Sequence, residues 1–407
     1  MEPPEASRPV FRLYLRWFLL ISAIGIAAGL SSALFLWLLE ISTATFTRHP
    51  QLIYGLPAAG GLLAYVSHWV GSAAASQGNN AIIRGIKGDL NRVPFIMAPF
   101  ILVTTLLTHL FGGSAGREGT AVQMSGSLAD TLLSRFAIPQ SERAHYLQAA
   151  AAAGFGAVFG TPFAGALFGI EVSNERKSVT FPNLIPCLVA SLIGDFTCRL
   201  TGIGHAEYSH IDVPSVTPTL LFWMLVCGVA IGLLAVVFIE AQHFLSRLGT
   251  GKPTGWRLRP LLGGIAILMM TLMIGSNDFN GLGLPLIVKS LNGSQLPVWT
   301  FAIKLAFTMV TLGSGFKGGE VTPLFCIGSL FGNGFASATH QDPKFFAGLG
   351  FVSLFAAAAN VPLTGWVLAM ELFGPRLSLL SMLMIGIAYL VSGRRSIYAA
   401  QWETASE

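Results

Sequence analysis

Two uncharged runs, residues 17–39 and 217–239, limit what this chain can become. Each supplies the ~20 consecutive residues that an α-helix needs to cross hydrocarbon. No water is available there, so backbone N–H and C=O groups must bond within the segment or within a closed barrel. Of 407 residues, 53% are hydrophobic and only 11% charged, and this composition predicts an all-α, multi-pass integral membrane protein, with the plasma membrane and its lipid bilayer as its setting. Other classes fit poorly. The net charge of +5 is spread over loops and ends without an aromatic-interleaved basic patch, so nucleic acid is not an expected partner. Cys187, Cys198, Cys227 and Cys326 lie in apolar runs without metal-ligand spacing and read as core filler, with no metal or cofactor expected. Neither H-E-x-x-H nor G-x-S-x-G occurs, which argues against a membrane enzyme. The first apolar run is too long for a cleavable signal, and few residues follow Tyr398, so no appended soluble domain is expected.

Marked features recur about 200 residues apart and in the same order. Gly25 and Gly29 match Gly228 and Gly232, and Pro57, Gly60 and Gly61 match Pro260, Gly263 and Gly264. Gly78–Ile86 lies against Gly283–Leu291, Gly113-Ser114 against Gly313-Ser314, and Gly126-Ser127-Leu128 against Gly328-Ser329-Leu330. Thr161–Glu171 lies against Val361–Glu371. Two homologous halves follow, residues 10–200 and 210–400, within one transport domain. Arg8, Arg12 and Arg16 precede the first long span, whereas Arg247, Lys252, Arg257 and Arg259 follow the second. By the positive-inside rule the two spans run in opposite directions, so the repeat is inverted and the N-terminus cytoplasmic. In such proteins, broken or re-entrant helices from both halves meet at the midplane and aim their ends at the substrate.

The stretch Gly113–Thr120 supplies such a break. It holds a charged pair, Arg117-Glu118, between apolar segments, and its glycines bring amide N–H groups and a positive helix end toward an anion. Glu118 competes for those same amides, unless it merely neutralises Arg117 or caps the helix. Gly78-Asn79-Asn80 and Gly313–Pro323 form further interruptions, and Pro162 and Pro362 start short helices.

"GSAGREGT" (Gly113–Thr120), Gly315–Pro323 and the two proline-led segments resemble the CLC family of chloride channels and anion/proton antiporters over almost the whole chain. The resemblance implies an inverted repeat of membrane helices, usually a homodimer with one pore per subunit. Three departures narrow the branch. Gln77-Gly78-Asn79-Asn80 stands where chloride-selective members carry Gly-Ser-Gly-Ile-Pro, Thr120 replaces the proline of GREGP, and Glu320 stands where those members are apolar. Together they resemble the fluoride-exporting branch. Val172 occupies the position of the second proton-handling glutamate of chloride/proton antiporters.

The resemblance implies a fluoride/proton antiporter, with a chloride/proton antiporter or a passive chloride channel as the alternatives. Glu118 becomes the gate and proton carrier, and Glu320 a second functional carboxylate, unless it only pairs with Lys317. Gly78, Asn79, Gly116, Gly119, Thr120, Val321, Thr322 and Tyr398 become the anion site. For Asn79 and Thr322 the competing reading is helix capping, and for Tyr398 interfacial anchoring. Fluoride is small and strongly hydrated, so amide, carboxamide and hydroxyl donors suit it. Glu171 and Glu371 read as structural, His68, His109 and His145 as ordinary polar contacts, and the 29 phenylalanines as packing.

Overall fold

The computed structural model describes residues 7–70, 77–173, 181–206, 208, 210–247 and 255–403. Among them the first series of helices is α1 (Ser7–Arg48), α2 (Leu56–Val70), α3 (Asn79–Lys87), α4 (Met97–Leu110), α5 (Glu118–Arg135), α6 (Gln140–Phe159), α7 (Pro162–Glu171) and α8 (Phe181–Leu200). The second is α9 (Pro218–Arg247), α10 (Gly255–Ile274), α11 (Leu284–Leu291), α12 (Thr300–Gly313), α13 (Val321–Ala338), α14 (Pro343–Ala359), α15 (Pro362–Phe373) and α16 (Ser378–Ser392). Helix answers helix in order. Five helical stretches, Tyr14–Arg48, Pro182–Leu200, Pro218–Arg247, Val321–Ala338 and Pro375–Ser392, have the length and apolar composition to cross a membrane. Others are far too short: α3 has nine residues and α11 eight, roughly 12–14 Å against ~30 Å of hydrocarbon.

Small residues set the packing. A Cβ at Gly25 would fall 2.8 Å from the Ala190 carbonyl oxygen, and one at Gly232 would fall 2.8 Å from that of Ala388. Thus α1 lies against α8 as α9 lies against α16, backbone to backbone, the close approach that small-xxx-small spacing permits in membranes. Equivalent segments also meet one another. Gly60 of α2 abuts the Pro260 carbonyl of α10, while a Cβ at Gly264 would lie 2.7 Å from Pro57 Cα. Gly116 N–H donates to Gly319 O at 2.7 Å and Gly319 N–H to Gly116 O at 2.8 Å, an antiparallel bridge between equivalent turns. Glu171 at the end of α7 accepts from Leu363 N (3.0 Å) and Thr364 N (2.6 Å) at the start of α15. Glu371 of α15 accepts in return from Phe163 N (3.0 Å) and Ala164 N (2.7 Å) at the start of α7. Each carboxylate satisfies helix-start amides that its own half leaves open. Both glutamates are therefore architectural, and the reason is helix capping across the repeat.

These contacts correct the sequence register in the middle of the repeat. Gly116 pairs with Gly319, α4 and α12 each have 14 residues, and α5 and α13 each have 18. The left-handed glycine Gly112 (φ 82°) therefore corresponds to Gly315 (φ 101°), and Gly313 belongs to the end of α12. The apparent Gly113-Ser114/Gly313-Ser314 match and the Gly-Ser-Leu match are shifted by a few residues from the structural equivalence.

Arg16 donates to the Phe136 carbonyl just past α5, and Asp130, near the end of that helix, accepts from Val93 N beyond α3. The start of α3 shares a cavity with Ser246 at the end of α9, where Arg259 donates to the Leu245 and Gly313 carbonyls. The basic ends of both halves thus gather on one face. Lys252 lies outside the described residues, as do the side chains of Arg8, Arg12 and Arg257. On the opposite side, Gly112 packs against Phe46 and Ile53 beyond the long apolar stretch of α1. The Gly116–Gly319 bridge lies between these two faces.

Candidate functional site

Glycines allow the two turns to touch, and the touching turns deliver two helix starts to one place. A Cβ at Gly319 would sit 2.8 Å from Gly119 N and 3.3 Å from both Arg117 N and Glu118 N. The amides of α5's first turn therefore crowd onto the bare Cα of Gly319. First-turn amides have no partner in their own helix and carry the positive end of its dipole. The start of α13 arrives at the same point from the other half.

Glu118 is wholly buried and its carboxylate lies on the start of α13. Thr322 donates to it twice over, from its amide to Oε2 at 3.0 Å and from its hydroxyl to both oxygens at 2.6 and 2.7 Å. Arg117 contributes longer contacts, 3.3 Å from its amide and 3.4 Å from Nε, while its guanidinium carbon stands 5.8 Å from the centre of the Phe159 ring. The ion pair with Arg117 exists, but the short bonds belong to Thr322. Bonds to a charged acceptor contribute about 1.5–3 kcal/mol each, so Thr322 fixes where the carboxylate rests. An acidic side chain here occupies the position that a helix start offers to a free anion.

Beside this plug, a cavity of about 230 Å³ opens toward the basic face, with Gly78, Asn79, Gln123, Gln242, Lys317, Glu320 and Tyr398 among its walls. Glu320 precedes α13 directly and accepts from Gln242 Nε2 at 3.3 Å. Gly119 adjoins both Asn79 Nδ2 and Glu320 Oε2, which would lie 2.8 and 3.5 Å from a Cβ placed there. Four buried polar atoms on the walls lack a protein partner: Asn79 Oδ1, Gln123 Oε1, Gln242 Oε1 and the Tyr398 hydroxyl. Buried polar groups are nearly always paired, so a cluster of open ones marks a place for water or solute. The Tyr398 hydroxyl faces the Asn79 side chain without closing a bond to it.

Most of the expected site residues converge here. Asn79 does not cap α3: the cap residue is Gly78 (φ 64°) and no side chain closes that end. Asn80 is occupied elsewhere, accepting from Ala400 N at 3.0 Å. Tyr398 is buried, which removes the interfacial-anchor reading, and Lys87 helps hold it by donating to the Ala400 (2.7 Å) and Gln401 (2.9 Å) carbonyls that follow. Val321 opens α13 beside Thr322. Two expectations need correction. The Gly116 amide is consumed by Gly319 O and has no hydrogen left for an anion. The Thr120 hydroxyl turns away to Thr105 Oγ1 at 2.9 Å, leaving only its first-turn amide near the site.

Gln123 and Gln242 carried no expectation. A signal existed for Gln123, which lies four residues after Gly119 and hence on the same face of α5. His109 braces the turn from behind, its ring nitrogens 2.8 Å from Thr105 O and 3.1 Å from Ala115 O. Lys304, buried in α12, donates to the carbonyls of Phe279 and Gly281 at 2.9 Å each. Aromatic rings pack around Phe159, which lies beside Arg117 and contacts Phe155 and Phe325: Phe325 stacks on Phe351 at 4.0 Å and Phe155 on Phe168 at 4.4 Å.

Comparison with known proteins agrees with this fold. A family model described as "Voltage gated chloride channel" matches residues 59–393. The "Chloride/fluoride channel protein" of Pseudomonas syringae pv. tomato is 41% identical over 396 residues, covering 95% of this chain and 86% of that protein. The "H(+)/Cl(-) exchange transporter ClcA" of Cronobacter sakazakii is 28% identical over 390 residues, 87% of this chain and 81% of its own. A solved structure described as "Crystal structure of a CLC-type fluoride/proton antiporter" superposes with a TM-score of 0.90 at 29% identity, over 95% of this chain and 98% of that one. Fold and site define a membrane transport protein for anions rather than an enzyme. The chain belongs to the CLC family, the voltage gated chloride channels.

Proposed function

We propose that this protein exports fluoride from the cytoplasm in exchange for protons, acting as a homodimer in the plasma membrane. The observation that carries the reading is the Glu118 carboxylate held on the amide and hydroxyl of Thr322, where an anion would bind. Protonation removes the charge that makes those bonds strong, so the side chain leaves and an anion takes its place on the same donors. Return of the carboxylate expels the anion and releases the proton. One group then couples both movements. By the positive-inside rule, the gathering of basic ends supports a cytoplasmic side for the cavity.

Fluoride is favoured by the donors and by the relatives. The Asn79 carboxamide and the Thr322 hydroxyl and amide offer short, strong bonds to a small anion whose water must be stripped. The relative at 41% identity is named for chloride and fluoride, and the structure at TM-score 0.90 is described as a fluoride/proton antiporter. Chloride/proton exchange is the second reading, supported by the 28% identical exchange transporter.

The test is flux in liposomes clamped at zero voltage. An imposed pH gradient should drive fluoride uphill, with chloride moving far more slowly. Fluoride that only runs down its own electrochemical gradient would make the protein a channel, and equal chloride pumping would favour the second reading. Asn79→Ser should lower the fluoride-to-chloride ratio by roughly tenfold or more, since it removes one bond worth about 1.5–3 kcal/mol to a charged partner. Anion competition assays report that ratio directly, and an unchanged value would leave Asn79 no part in selectivity.

A further inference from the structure

Val172 stands where the resemblance implies a proton-handling glutamate in chloride/proton antiporters, so the cavity itself has to be read for another way out to the cytoplasm. Gln242, on α9, joins Glu320 to it. Its Nε2 donates to Glu320 Oε1 at 3.3 Å, and its own Oε1, buried in the cavity wall, meets no donor. The other Glu320 oxygen points toward Gly119, at the start of the helix that carries Glu118. Glu320 therefore spans from the cavity to the plug.

A carboxylate needs donors, whereas a carboxylic acid also needs an acceptor for its own O–H. A primary amide offers both, and the terminal torsion of glutamine is soft enough to exchange them. The charged groups around Glu320 do not supply that second function. Lys317, on the same turn, only donates, and Glu118, across the bridge, carries like charge when ionised. Tyr398, on the same cavity wall, makes no hydrogen bond to Glu320.

We propose that Gln242 is a positioning residue for proton coupling, holding the Glu320 carboxyl at the inner end of the cavity in both of its protonation states. In the step it serves, a Glu320 carboxylate oxygen takes up a proton on the side facing α5. Gln242 then turns its Oε1 to accept from the new O–H. The proton afterwards passes from Glu320 to a water molecule in the cavity, which leaves as hydronium. This assignment rests on the proton-coupled reading given above.

The experiment measures fluoride and proton fluxes together in liposomes, so that the readout is protons moved per fluoride. Gln242→Met keeps length and removes both functions of the amide; the ratio should fall roughly tenfold or more. A merely structural defect would lower both fluxes and leave their ratio alone. Gln242→His, which again offers one donor and one acceptor, should restore most of the ratio. A wild-type ratio in Gln242→Met overturns the assignment, and so does a lost ratio in Gln242→His should that be the only variant that folds. Glu320→Gln, measured alongside, separates the two levels. Coupling lost in Glu320→Gln but kept in Gln242→Met rejects Gln242 alone, whereas coupling kept in Glu320→Gln removes the proton role of Glu320 and this proposal with it. A wild-type protein that moves no protons rejects the antiport reading itself.

Discussion

Glu118→Gln protein in liposomes is expected to carry no fluoride uphill under a pH gradient. Glutamine preserves the length of the side chain and accepts a bond from Thr322, whose amide and hydroxyl now hold the carboxylate at 2.6–3.0 Å. The variant should therefore fold and assemble like the parent. What it loses is the proton: an amide neither binds nor releases one near neutral pH, so the alternation between plug and anion has no link to the gradient. The neutral side chain also forfeits the charge that strengthened its bonds, and it competes weakly with an anion for Thr322. Pumping should drop to the background of empty liposomes. Retained pH-driven accumulation would return Glu118 to the role of counter-ion for Arg117.

Gly319→Val should be the most damaging change among the glycines of the site. The added Cβ would fall 2.8 Å from Gly119 N and 3.3 Å from two neighbouring amides, and all three contacts are backbone, which cannot swing aside as a side chain does. Relief requires α5 to withdraw from α13, which breaks the paired bonds between Gly116 and Gly319 and carries Glu118 off Thr322. A displacement on the order of 1 Å at a reacting site can cost about 100-fold in rate. Fluoride flux should fall by about that factor or vanish. Gly204→Ala is the matched control, since no heavy atom lies within 4 Å of its Cβ position and its φ needs no glycine. Equal flux in both variants would mean that the bridge does not position the site.

Much of this was legible in the residues because membrane chemistry makes polar exceptions conspicuous. Glu118 stood out as a charged group between apolar runs, Glu320, Asn79 and Thr322 through the resemblance to the CLC family, and the structure brings all four to one junction. The bonding of individual atoms was not legible. That Gly116 spends its amide on Gly319 and Thr120 its hydroxyl on Thr105 depends on which turn meets which, a long-range fact that spacing does not encode. The repeat was clear from prolines and glycines, yet its register slipped around residues 113 and 126, where glycine and serine are common enough to align by chance. Gln242 escaped notice because a glutamine near the end of a long apolar helix looks like ordinary termination at the interface.

The crossed carboxylates of Glu171 and Glu371 bear on how the chain is made. The amides of Phe163 and Ala164 await an acceptor that lies 208 and 207 residues downstream. During synthesis, the first half therefore enters the bilayer with a helix start still open, and water, lipid headgroups or the insertion machinery must shelter it until residue 371 emerges. Neither half satisfies all of its helix starts by itself. An early half of this kind would find its missing acceptor in a second copy lying upside down beside it, each lending the other the same glutamate.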